Sequence, residues 1–87
     1  MSRPRKKTYK CFFWGRKSEA VEHPPDNVRD FKDKHKALEW INKKVVDGVL
    51  EEAYGKIFVE DEEGHINSKP LIRLQNHKGL AKEVGFK

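Results

Sequence analysis

An α+β fold is predicted for this 87-residue chain, a small single domain with one main helix packed on an antiparallel sheet. Three features of the sequence point there. The run Thr8 to Trp14 is β-branched and aromatic and contains no breaker. Residues 34–47 repeat apolar side chains at helical spacing between Asp33 and Gly48. Residues 54–60 alternate apolar and polar side chains and run into an acidic turn. The predicted order is an N-terminal β-hairpin, the main helix, a second β-hairpin and a short C-terminal helix.

The first strand, Thr8 to Trp14, places Tyr9, Cys11 and Phe13 on one face and Lys10, Phe12 and Trp14 on the other. Gly15 to Ser18 reads as a turn, and Glu19 to His23 as a second strand returning in a hairpin. Pro24 and Pro25 stop that strand, and Asn27 to Phe31 is a brief third strand. The main helix spans Lys34 to Asp47, with Asp33 as its N-cap and Gly48 just past its end. Leu38, Ile41 and Val45 form its apolar stripe with Ala37 alongside and Trp40 at the edge, while Lys36, Glu39, Lys43 and Asp47 face solvent.

The second β segment, Tyr54 to Glu60, points Ile57 and Val59 one way and Lys56, Phe58 and Glu60 the other. Asp61-Glu62-Glu63-Gly64 turns the chain, with Gly64 supplying a positive φ. His65 to Asn67 begins the return, Pro70 interrupts it, and Leu71 to Leu74 continues as an extended edge segment guarded by Lys69, Pro70 and Arg73. Lys78 to Val84 is the short terminal helix, capped by Asn76 and closed by Gly85.

Charge is distributed unevenly. Residues 1–17 carry seven bases and no acid, residues 18–63 carry seven bases against thirteen acids, and residues 64–87 carry five bases against one acid, for a formal net charge of +5. Residues 1–7 therefore read as a flexible basic arm and residues 8–87 as the domain. No apolar run approaches the ~20 residues of a membrane span, and no apolar stretch follows the charged amino terminus as in a signal peptide. The single cysteine, Cys11, excludes an intramolecular disulfide and fits a reducing, cytoplasmic setting.

The residue types needed for catalysis are not arranged for it. His23, His35, His65 and His77 show no helical ligand spacing and no accompanying cysteine pair, so no metal and no cofactor are expected. There is no phosphate-binding glycine loop, no nucleophile elbow and no paired-carboxylate motif. Cys11 reads as a core residue, and the chain as a non-enzyme.

The basic arm and the first hairpin are the main binding candidates. Arg3, Arg5, Lys6 and Lys7 would neutralise phosphates and release counterions. Lys10, Arg16 and Lys17 would extend that patch across the first hairpin, with Trp14, the expected exposed aromatic, or Phe12 stacking or packing at its edge. RNA or a single strand fits better than a duplex, because no element presents a basic recognition face. The expected function is a nucleic-acid-binding accessory or regulatory protein.

A different class is a small protein-binding modulator or inhibitor, of the charge-polarised kind that phages and mobile elements encode. Phe58 would anchor that contact, with Glu60, Asp61, Glu62 and Glu63 as its acidic surround.

The stretch Tyr9 to Trp40, ending in Phe31-x-Asp33-x-x-x-Ala37-x-x-Trp40, resembles the amino-terminal DNA-binding domain of arm-type tyrosine integrases. That resemblance implies a three-stranded sheet packed on a helix, with the sheet laid in a DNA groove. Pro24-Pro25 departs from the family pattern where two long strands should pair, and the residues after Trp40 lie outside it.

Overall fold

The computed structural model describes residues 7–20 and 22–84. Arg3, Arg5 and Lys6 of the arm, Val21 within the expected second strand and Gly85 at the expected helix stop lie outside them. Five antiparallel strands form one sheet in the order β2-β1-β3-β4-β5. They are β1 (Thr8–Trp14), β2 (Asn27–Phe31), β3 (Tyr54–Glu60), β4 (Ile72–His77) and β5 (Leu80–Glu83), with a single long helix, α1 (Lys34–Asp47), between β2 and β3. No helix among the described residues is long and apolar enough to cross a membrane.

Both β2 and β3 pair antiparallel with β1, so α1 carries the chain across β1 and packs on one face of the sheet. Strand alternation sends Cys11, Phe13, Ile57 and Leu74 toward the helix, where they meet Ala37, Ile41 and Val45 in the core. The helix comes closest at Gly55, where a Cβ would lie 2.5 Å from Ile41 Cδ1. Only a residue without a side chain admits this packing. Asp33 caps the helix start as expected, its Oδ1 accepting from the His35 N–H at 2.8 Å.

Three expectations need correction. The described residues of the expected second strand, Glu19, Ala20, Glu22 and His23, are not strand: the chain makes a short 3-10 helix at Lys17–Ala20, and pairing with β1 is made by Asn27–Phe31. Two adjacent prolines offer no N–H to a ladder, so strand pairing waits until the chain has passed them.

The segment at Leu71 to Leu74 is not an edge. Its residues Ile72 to Leu74 belong to β4, an interior strand between β3 and β5. The true edges are β2 and β5, and both carry charge: Arg29 and Asp30 on one, Lys82 and Glu83 on the other.

The C-terminal helix is absent and β5 takes its place. Lys78 and Gly79 adopt φ values of 56° and 86° and form a two-residue loop between the paired His77 and Leu80. Positive φ at both central residues is the geometry that matches the twist of a tight hairpin. Gly48 follows α1 as expected, but its φ is −83°. Glycine is needed there for space, since a Cβ would run into Ala53 and crowd the Lys44 carbonyl.

Asn76 does cap a helix, though not the one expected. It is fully buried on β4. Its Nδ2 donates to the carbonyls of Val45 at 2.9 Å and Val46 at 3.4 Å, in the last turn of α1. Its Oδ1 accepts from the N–H groups of Glu51 at 3.3 Å and Gly79 at 3.0 Å. One side chain thus satisfies the helix end, the connection after it and the β4–β5 turn.

Asn76→Ala leaves these groups without their partner in a buried site. The expected cost is about 2–3 kcal/mol, or a fall in Tm of about 10–20 °C for a domain of this size. Thermal unfolding followed by circular dichroism checks it, and an unchanged Tm would contradict the assignment.

Candidate nucleic-acid interface

The helix covers one face of the sheet, and among the described residues no second layer packs on the other. Strand alternation and register put Lys10, Phe12 and Trp14 of β1, Tyr54, Lys56 and Phe58 of β3, Arg73 and Gln75 of β4, and Lys82 of β5 on that open face. Val28 and Asp30 of β2 continue it, opposite Phe12 and Lys10.

Aromatic rings run down its centre. Phe12 lies 5.5 Å from Phe58 and 6.2 Å from Trp14, and Trp14 lies 6.0 Å from Tyr54, all tilted. These are ordinary aromatic contacts. The two ends of the row differ in exposure. Phe12 and Phe58 are half-buried and Val28 is 54% exposed.

Trp14 is 6% exposed, which corrects the expectation of an exposed aromatic at the strand end. The connection between β1 and β2 folds over it. Trp14 Nε1 donates to the His23 carbonyl at 2.9 Å, and the connection is tied down where the Gly15 N–H donates to Asp26 Oδ2 at 2.6 Å and the Lys17 N–H to the Glu52 carbonyl at 2.7 Å. An indole N–H taken from water needs such an acceptor.

Cations line the same face, in two settings. Lys10 is already matched, with its Nζ 3.2 Å from Asp30 and 4.0 Å from Glu60. Lys56 lies opposite Arg73 across the β3–β4 ladder. Its ammonium sits 5.5 Å from the Trp14 ring centre and 5.7 Å from that of Tyr54, and among the described residues it makes no ion pair. Burial and, after it, the Arg73 charge hold the Lys56 pKa below its ordinary value. Tyr54 is shifted upward by burial, against the opposing pull of the Arg73 charge and hydrogen bond.

The other sequence-designated residues are dispersed. Arg16 and Lys17 are exposed in the connection beside the covered end of the sheet, and Lys7 is exposed at the far end of β1. Of the acidic group, Phe58 turns into the open face against Phe12, and Glu60 stands near Lys10. Asp61 is used locally, its Oδ1 accepting from the N–H groups of Glu63 and His65, both at 2.9 Å. Glu62 and Glu63 are exposed at the tip. Ligand atoms of Asp61, Glu63 and His65 lie within 4.8 Å of one another in this turn, and the two backbone donors account for how Asp61 points.

Sequence reading missed Tyr54, Arg73 and Lys82 as members of one surface. The alternation that exposes Lys56 and Phe58 was visible, but the register bringing Arg73 beside Lys56 depends on pairing across the Pro70 interruption. Phe12 was legible as half of a two-sided aromatic strand.

No protein-family model, curated protein or solved structure matches this chain. The resemblance of Tyr9–Trp40 to the integrase arm domain therefore rests on those residues alone. Among the described residues of that stretch two strands, β1 and β2, precede the helix, and the sheet gains its other strands from residues after it.

Cys11 sits on the helix side, fully buried, with Sγ 3.7 Å from the Ala37 carbonyl. Burial, with a smaller contribution from the Asp30 carboxylate, pushes its pKa from 9.0 up to about 12. Between those values the unfolded chain releases a proton that the native state keeps. Stability therefore falls as pH rises through that window. Native protein should resist iodoacetamide at pH 8 and react once denatured, and Cys11→Ala should flatten part of the alkaline loss of stability. Equal alkylation of native and denatured protein would contradict the buried, protonated thiol.

Proposed function

We propose that this protein is a non-enzymatic accessory protein that binds single-stranded nucleic acid across the open face of its sheet. The observation that carries this reading is Lys56, a partly desolvated cation on the open face, seated over the Trp14 and Tyr54 rings and without an ion pair among the described residues. A phosphate backbone is the chemistry such a cation would take.

The rings beside Lys56 supply the second half of a single-strand site. Phe12 and Phe58 keep part of their surface open to solvent. An unpaired base stacks on such a ring whatever its identity, while adjacent cations track the backbone. A duplex offers no unstacked base to these rings. The basic residues 3–7 belong to the same proposal as additional phosphate contacts that strengthen binding without setting its location.

Fluorescence anisotropy with labelled oligo(U), oligo(dT) and duplexes of both kinds tests the reading. Single strands should bind, with a log–log salt slope of roughly −2 to −5 for several phosphate contacts. Phe58→Ala should weaken binding by about 1–3 kcal/mol. Lys56→Gln with Lys82→Gln should lower the slope by about one to two. Neutralising Arg3, Arg5, Lys6 and Lys7 should weaken binding without changing Tm. Absence of binding near ~100 mM salt, or binding indifferent to Phe58 and Lys56, would overturn the proposal.

A further inference from the structure

A second group of cations and rings lies around the β2 edge, on the helix side. Arg29 places its guanidinium 5.2 Å from the Phe31 ring centre, and Lys44 places its ammonium 5.6 Å from that of Trp40. The Phe31 and Trp40 rings are 6.1 Å apart and only half-buried against the core. Among the described residues neither Arg29 nor Lys44 makes an ion pair, whereas nearby Lys10 and Lys43 are matched by Asp30 and Asp47.

We infer that a single strand bound on the open face continues over the edge strand β2 and seats its next bases and phosphates on Arg29, Phe31, Trp40 and Lys44. The inference rests on the reading above and extends it to the length and course of the ligand. Among the described residues β2 is an edge of the sheet, with no further strand in the way of the crossing.

The crossing point is Val28, opposite Phe12 and 54% exposed. Of the carboxylates flanking it, Asp30 is taken up by Lys10 and Asp26 by the Gly15 N–H. The next residue, Arg29, faces the helix side because successive strand side chains alternate. Backbone distance between the two sites is thus a single residue.

The chemistry at the far site matches that of the open face. Planar guanidinium and indole groups stack on bases, and two cations without carboxylate partners accept phosphates without first breaking an ion pair. An acidic protein segment would use the cations and leave the rings idle. Continuity with the open-face site and the ring content favour the nucleic acid strand.

Binding of a labelled tetranucleotide and dodecanucleotide of uridine to the full chain decides it. Three proteins are compared, namely the unaltered chain, Arg29→Ser/Lys44→Ser, and Lys34→Ser/Lys69→Ser, which removes equal charge from exposed positions elsewhere. Melting curves confirm that each folds. The first variant should lose about ten-fold in dodecamer affinity while its tetramer affinity stays within about two-fold, and the control variant should lose less than about three-fold on the dodecamer. The statistical advantage of the longer ligand is common to all three.

Tetramer and dodecamer binding both unaffected in the first variant would overturn the inference and leave the open-face reading standing, assigning the cluster to another anion or to shading the core edge. Equal losses in the two double variants would reduce it to general charge attraction and also overturn it. Failure of the unaltered chain to bind either ligand would remove both proposals together.

Discussion

Asn76 hydrogen-bonds the end of α1, the connection after it and the β4–β5 turn from a fully buried position. Without it the Val45 carbonyl would keep the Gly48 N–H alone, and the Val46 carbonyl and the Glu51 and Gly79 N–H groups would lose a protein partner at part-buried positions. A helix terminus has carbonyls with no partner of their own, and here they are satisfied from the sheet. That fixes where the helix stops and how it lies on β4. It also holds Glu51 in a left-handed conformation at φ 64°, where the chain turns from helix to β3. In a domain this small, with a few kcal/mol of net stability, such a junction sets the geometry of everything around it.

With the helix held in that position, the two sheet faces acquire different roles. The helix side takes the aliphatic residues and Cys11, packed closely enough that Gly55 has no room for a side chain. Among the described residues the opposite side is covered by no layer except the connection over Trp14. Phe12 and Phe58 there pack against each other and stay half-buried, whereas Trp14 and Tyr54 are covered, with the Lys56 ammonium over both of their rings. Antiparallel sheets commonly leave one face to solvent, but the usual exposed face is polar throughout. The half-open phenylalanines beside Lys56 are the features on which the proposed single-strand site rests.

Local pattern carried much of the fold. The bounds of β1, α1 and β3 coincide with those expected from breaker-free composition, capped helical periodicity and alternation, because each is specified by its own residues. The errors fell where long-range pairing decides. Residues 17–20 and 80–83 carry helix- and strand-compatible side chains alike. A buried asparagine looks like a turn or cap residue until its distant partners are known, and Lys78-Gly79 is a less obvious hairpin signal than Asn-Gly. The site was legible only in fragments: Lys10, Phe12, Lys56 and Phe58 as alternating positions on two strands. Their union with Arg73 and Lys82 depends on β4 and β5 pairing, and the burial of Trp14 depends on a loop that returns across the sheet.

The most direct measurement of the central claim is residue-resolved mapping of the contact surface by amide chemical-shift perturbation, titrating labelled protein with a short oligo(U). The account predicts that the largest shifts follow β1, β3 and β4 around Phe12, Lys56, Phe58 and Arg73, on strands that share one sheet face. Shifts confined to the acidic turn at residues 61–65, or to the outer helix residues Glu39, Asn42 and Lys43, would contradict it.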